Sequence, residues 1–405
     1  MPEPTAPCTG LLLTGGGARA AYQVGVLRAI GRLRREAGDT ALPSPYQVIV
    51  GTSAGGILAA ALASSADDID KALGRLSVVW EQMHADRVYR TDSFGVVRTG
   101  ARWLTMMSMG WALARMRRLK PRSLLDNSPL HGLLSEVIKL DRIPRLMAEG
   151  HLQALAVSAS SYTSGQHVTF YDSAQPVAPW ERSNRLAVPG AIAQAHLLAS
   201  AAIPFIFPAV DLPLGRGSEW FGDGSMRQAA PVSPAVHLGA DRILVIGAGR
   251  MHEPPGSRAA VPQGYPSVAQ IAGHALSSIF LDALAVDVER LQRINRTLSL
   301  VPPEQRTGTG LRPIDVLLIS PSERLDDLAA KHIEALPLSI RALLKAIGVS
   351  GASSRVGASG AALASYLLFE ADYTRELMAL GERDTLARRG DVQRFFGWPV
   401  TDSAD

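Results

Sequence analysis

The chain has 405 residues, 47% hydrophobic and only 19% charged, a balance that excludes a disordered protein and indicates a sizeable core. Its small net charge of +4 gives no case for a nucleic-acid partner, and the single cysteine, Cys8, excludes an internal disulfide framework. The opening MPEPTAPCTG lacks the basic and apolar regions of a secretory leader, and no uncharged apolar run reaches the roughly 20 residues of a spanning helix, so a cytoplasmic protein with at most peripheral membrane contact is expected.

Residues 11–14 form a short apolar run that stops at three glycines, the pattern of a buried strand. Residues 20–37 are predicted helical because Tyr22, Val26, Ile30 and Leu33 recur at helical spacing and Gly38-Asp39 closes the segment. YQVIV at 46–50 reads as a second strand and GILAAALAS at 56–64 as a second helix. Strand–helix–strand–helix is the pattern of a parallel sheet covered by helices. Further strands are predicted at 155–160, 168–171, 242–247 and 314–320, the last two central because their apolar runs are unbroken. Pro/Gly-rich connectors occupy 252–266 and 302–313, a Gly/Ser-rich loop spans 348–360, and the chain reads as helical from 361 to about 396. There is no internal repeat, and the expectation is one elaborated α/β domain over 9–320 with a helical extension, 321–405, packed on it.

Two glycine motifs carry the chemistry. Gly15-Gly16-Gly17-Ala18-Arg19-Ala20 satisfies a G-x-G-x-x-A dinucleotide fingerprint after a strand. That fingerprint calls for an acid at the end of the second strand, where this chain has Val50-Gly51-Thr52-Ser53. Instead, Gly51-Thr52-Ser53-Ala54-Gly55 is a G-x-S-x-G on a strand-to-helix turn, the setting of a nucleophile elbow; the bland alternative is a serine helix cap. Both loops open at the same edge of a parallel sheet, so the triplet's amides suit an oxyanion formed at Ser53, with glycines sparing the substrate carbonyl a side chain. The serine follows only one strand–helix pair, too early for an α/β-hydrolase. Asp223, in WFGDGS on a tight turn, is the candidate base; alone it would pass for an ordinary turn residue.

At this point the chain resembles the patatin-like phospholipases. Four blocks carry the resemblance: GGGARA at 15–20, GTSAG at 51–55, ASAAIPFIFPAV at 199–210 and DGS at 223–225. It implies a three-layer α/β/α fold with a mainly parallel sheet, the elbow after the second strand, and a Ser53–Asp223 dyad that hydrolyses lipid acyl esters through an acyl-enzyme. It also implies an oxyanion hole at Gly15, Gly16, Gly17, Ala18 and Arg19, with Arg19 steadying the loop or the acyl oxygen. Gly51, Gly55 and Gly224 support the two turns. No cofactor is implied, and no metal-ligand spacing or calcium loop is visible. His131, His151, His196, His237 and His274 are scattered; His196 lies closest to a motif block. Ser225 and Ala229-Ala230 depart from the family pattern and bear on the substrate pocket. From Arg87 to Arg122 nine basic residues face the single acid Asp92 around the uncharged WLTMMSMGWALA, a composition that suits a cap at the site mouth or an interfacial segment. Two rivals remain, a dinucleotide-binding oxidoreductase and a catalytically silent lipid-binding protein of the same fold.

Overall fold

The computed structural model describes residues 7–92, 123–251, 268–346, 349 and 358–400. The connector at 252–266, most of the loop at 348–360 and most of the basic segment, 93–122, lie outside the described residues. Ten strands form one sheet: β1 (Thr9–Leu13), β2 (Val48–Thr52), β3 (Ala154–Ser161), β4 (His167–Ser173), β5 (Glu181–Arg182), β6 (Arg185–Pro189), β7 (Val210–Leu214), β8 (Gly217–Asp223), β9 (Arg242–Ile246) and β10 (Asp315–Ile319). The helices of the first half are α1 (Ala21–Glu36), α2 (Ala54–Ala63), α3 (Ile69–Glu81), α4 (Ser128–Val137), α5 (Ile143–Ala148), α6 (Gln194–Ser200) and α7 (Ser233–His237). After them come α8 (Val268–Ser299), α9 (Leu325–His332), α10 (Leu338–Ala346), α11 (Ala358–Leu367), α12 (Ala371–Ala387) and α13 (Arg389–Phe396), with short helical turns between.

The main path runs β10-β9-β1-β2-β3-β4-β6-β5, parallel from β10 to β3, where the antiparallel β4 joins. Alternate residues of the central strands enter two separate cores. Leu11, Leu13, Ile49, Leu244 and Ile246 pack on one face; Leu12, Val48, Val50, Ile243 and Val245 pack on the other. Burial on both faces is why these strands read as unbroken apolar runs. β10 corrects one expectation, since it lies at an edge and not in the centre. Both its faces are nonetheless covered, with Leu317 and Ile319 in one core and Val316 and Leu318 against the other. A continuous apolar run reports covered faces, not rank in the sheet.

The predicted helical C-terminal part consists of α11, α12 and α13. α12 lies along α1 and α3: Tyr22 Oη donates to Asp384 Oδ2 at 3.0 Å and Thr374 Oγ1 donates to the Trp80 carbonyl at 2.6 Å. α8 was not anticipated. Its segment Ile271–Ser299 is long and apolar enough, by length and composition, to cross a membrane. Phe280, Leu284 and Val288 are nonetheless buried in the cores, and Asp287 accepts the Val232 N–H at 3.0 Å.

One feature of the sheet positions the site. β3 is three residues longer than β2, so β2 pairs with it only as far as Thr52 opposite Ser158. Beyond that point β8 takes over the vacated edge of β3, antiparallel, with Asp223 opposite Ala159. Residues 52 and 223 thereby become neighbours along one strand edge.

Candidate active site

Ser53 follows the end of β2 with φ 56° and ψ −131°, and α2 begins at Ala54. A serine held in this sparsely populated region stores on the order of 1–3 kcal/mol. The conformation is pinned by its amide, which donates to Ser200 Oγ at 2.8 Å, while that hydroxyl donates to the Ser158 carbonyl at 2.6 Å. Ser200 was not singled out in the sequence; its one signal is that it is the only polar residue in ASAAIPFIFPAV.

Ser53 Oγ donates to Asp223 Oδ2 at 2.6 Å, and Oδ1 of the same carboxylate accepts the Ser225 N–H at 2.9 Å. Both side chains are buried. Burial pushes the Asp223 carboxyl up to about 6, against the opposite pull of its hydrogen bonds from Ser53 and Ser225. A carboxylate desolvated to that degree is a far better proton acceptor for an alcohol than a surface aspartate. The turns admit nothing larger than glycine. A Cβ on Gly224 would collide with the Ser158 carbonyl, on Gly55 with the Leu13 and Thr14 carbonyls, and on Gly51 with Gly55 itself.

The loop from Gly15 to Arg19 begins after β1, and Gly17 takes φ +55° at the start of a short 3-10 turn. A side chain on Gly15 would meet Ser225 Oγ and the Phe280 ring, on Gly16 the Ala248 methyl, and on Gly17 the Tyr366 carbonyl. The packing adds a second reason for the triplet to the one read from the sequence. The protein itself requires the glycines, because the loop packs against Ser225, Phe280 of α8, Tyr366 of α11 and Ala248 just after β9. Arg19 stands apart from its four neighbours. Its amide donates to the Gly16 carbonyl at 3.1 Å, and Nε donates to Ser365 Oγ at 2.8 Å. The buried guanidinium also pairs with Asp326 and lies 3.9 Å from the centre of the Tyr366 ring. These contacts tie the loop to α9 and α11.

Gly17, Ser53 and Ala54 open into one cleft. Its other walls are apolar, from Leu58, Leu76, Trp80, Leu134, Phe207 and Phe369. No described histidine hydrogen-bonds to Ser53 or Asp223. His196 Nδ1 accepts the Ala193 N–H at 2.9 Å at the start of α6, and its ring stacks on Phe170 at 4.5 Å. His237 stacks on Trp180 at 4.6 Å. His167, passed over in the sequence, is buried on β4, where desolvation and the Arg185 charge push it down to about 4. Among the described residues no cluster of three metal-ligating side chains occurs.

A serine hydrogen-bonded to a carboxylate where β2 and β8 meet along β3, beside a glycine loop, agrees with the family model that matches residues 11–236, described as patatin-like phospholipase. The chain belongs to this family. Membership places the patatin-like protein among the lipid hydrolases. The matched span holds the glycine loop, Ser53 and Asp223, while α9 to α13 lie beyond it. No curated protein matches the sequence significantly. Among solved structures the chain is similar to VipD from Legionella pneumophila, at 13% identity and a TM-score of 0.29, covering 92% of this chain and 67% of that one. It is also similar to the type III effector ExoU, at 14% identity and a TM-score of 0.27, covering 99% and 90%. Full-length ExoU of Pseudomonas aeruginosa in complex with SpcU follows, at 16% identity and 0.25, covering 94% and 73%.

Proposed function

We propose that this chain is a serine-dependent lipid acyl hydrolase of phospholipase A or lysophospholipase type, working through a Ser53–Asp223 dyad. The observation that carries the proposal is the 2.6 Å hydrogen bond from Ser53 Oγ to a buried carboxylate at the floor of an apolar cleft. Ser53 Oγ attacks the ester carbonyl as its proton passes to Asp223. The amides of Gly16, Gly17 and Ala18 receive the oxyanion, with Gly15 and Arg19 holding that loop in place. Collapse of the tetrahedral intermediate expels the alcohol, which takes the proton from Asp223. Water, deprotonated by the same carboxylate, then releases the acyl group and restores Ser53. The cleft walls are apolar and offer a polar headgroup few partners, so they suit the acyl chain of a lipid ester. The C-terminal helices belong to the catalytic unit in this scheme, because Arg19 depends on Asp326 and Ser365. The reaction is cytoplasmic, at or near a membrane surface.

The dinucleotide reading is disfavoured by Thr52 and Ser53 at the end of β2, where a ribose-binding acid belongs. A silent lipid-binding protein has no need of the strained elbow or the unpaired buried carboxylate. The deciding experiment is intact mass after treatment with a fluorophosphonate probe. Wild type gains one probe mass, Ser53→Ala gains none, and Asp223→Asn reacts at least a hundredfold more slowly, on the order of what a lost general base costs. Labelling that persists in Ser53→Ala overturns the mechanism.

A further inference from the structure

Phe205 is 74% exposed and has φ +65°. It is the third residue of a turn in which the Ile206 N–H donates to the Ile203 carbonyl at 3.1 Å, with Pro204 second. Proline second and a left-handed third residue define a turn whose third position is made for glycine. A phenylalanine there is strained, and projecting its ring into water adds a hydrophobic cost. The strain cannot relax, because the Phe205 and Ile206 carbonyls accept the Leu124 and Leu125 N–H groups, each at 2.8 Å. An outlier that the surroundings hold in place, with its side chain contributing little to the core, points outward for its purpose.

The turn joins directly onto the site. Ile203 and Phe207, on either side of Phe205, line the apolar cleft, and the Ala202 carbonyl accepts the Asp223 N–H at 2.9 Å. The exposed Phe205 ring thus belongs to the same turn whose Ile203 and Phe207 wall the cleft. The stretch of chain before residue 93 meets the one after residue 122 beside this turn, where the Arg90 N–H donates to the Asp126 carbonyl at 2.8 Å.

We infer that Phe205 is an interfacial anchor, inserting into the acyl region of a lipid leaflet and holding the cleft mouth against it. This rests on the lipid-hydrolase reading above and adds how substrate reaches Ser53. Burial of one phenylalanine side chain is worth roughly tenfold to a hundredfold in affinity.

The test compares wild type, Phe205→Gly and Phe205→Trp on vesicles of phosphatidylcholine and phosphatidylglycerol and on a soluble short-chain ester. Glycine relieves the left-handed backbone, so Phe205→Gly is expected to melt no lower than wild type and to cleave the soluble ester equally well. Its vesicle affinity and its turnover of vesicle lipid are expected to fall roughly tenfold or more. Phe205→Trp is expected to keep the affinity, and its emission, after subtraction of wild type, to shift to the blue on vesicles and be quenched by brominated lipid. Equal vesicle binding by wild type and Phe205→Gly, no binding by wild type, or an unmoved Phe205→Trp emission overturns the inference. Loss of soluble-ester cleavage in Phe205→Gly also overturns it, because the residue would then serve the site itself. If wild type cleaves no ester at all, the proposed function fails, while the binding and emission measurements still decide the anchor.

Discussion

If Asp223 takes the Ser53 proton as proposed, lowering the pH through about 6 is expected to switch Ser53 off, because that is where burial places this carboxyl. The displacement from 3.8 to about 6 corresponds to about 3 kcal/mol of discrimination against the ionised form in the folded protein. Two consequences follow with opposite signs. Activity needs the carboxylate, so kcat/KM for a soluble ester rises with pH to a plateau, with its midpoint near the displaced value. Stability behaves in reverse. The folded carboxyl binds its proton more tightly than the unfolded one, so its favourable contribution is complete below the unfolded pKa and is lost as pH rises through the folded one. Asp223→Asn, which carries no charge to bury, is therefore expected to lose at least a hundredfold in activity. It is also expected to be more stable than wild type, by up to about 3 kcal/mol well above the midpoint and by nothing below about pH 3. The assays are pH–rate profiles and urea unfolding of both proteins at each extreme. A rate midpoint in the ordinary carboxylate range, or an Asn variant less stable than wild type at alkaline pH, would refute the argument that burial tunes this group.

Three further outcomes are expected. Ser200→Ala breaks the bridge from the Ser53 amide to β3 and leaves that buried N–H unpaired. It is expected to cost about 1–3 kcal/mol in urea unfolding and roughly tenfold in kcat, whereas an unchanged kcat would mean the elbow holds itself. Asp326→Asn leaves the Arg19 guanidinium buried without its counter-charge, so stability is expected to fall by on the order of 3 kcal/mol, with kcat falling alongside. A full-rate variant would disconnect α9 from the glycine loop. Leu133→Trp adds bulk to the cleft wall, and turnover of long-chain esters is expected to fall about tenfold relative to short-chain ones. Parallel losses on both substrates would show that the acyl chain lies elsewhere.

Much of the site was legible because its parts are local. An apolar strand running into GTSAG and then into an alanine-rich helix dictates a sharp turn with Ser53 at its apex, and no distant residue is needed to see it. The glycine triplet was legible in the same way, but the packing that also requires it was not. Phe280, Ala248 and Tyr366, which make the glycines necessary, come from segments more than two hundred residues away. Ser200 escaped for a related reason, since a lone serine in an apolar block looks like any other until its hydroxyl is placed between two backbone groups. α8 was missed where its apolar face is interrupted by Asp282 and Asp287, so that neither a surface stripe nor a fully apolar run stands out.

By itself the sequence determined the order of elements around the site, the strand-to-helix turn at Ser53 and the aspartate turn, since backbone propensity and glycine placement act over a few residues. Only the tertiary structure decided that Asp223 is the partner of Ser53, 170 residues away. That pairing depends on β3 extending past β2 and offering its free edge to β8, a matter of strand length and register between separate parts of the chain. The same assembly buries the carboxylate and so sets its basicity. It also turns Arg19 away from Ser53 toward the C-terminal helices and leaves Phe205 facing solvent. Burial is a property of what surrounds a residue, and for all of these positions the surroundings come from elsewhere in the chain.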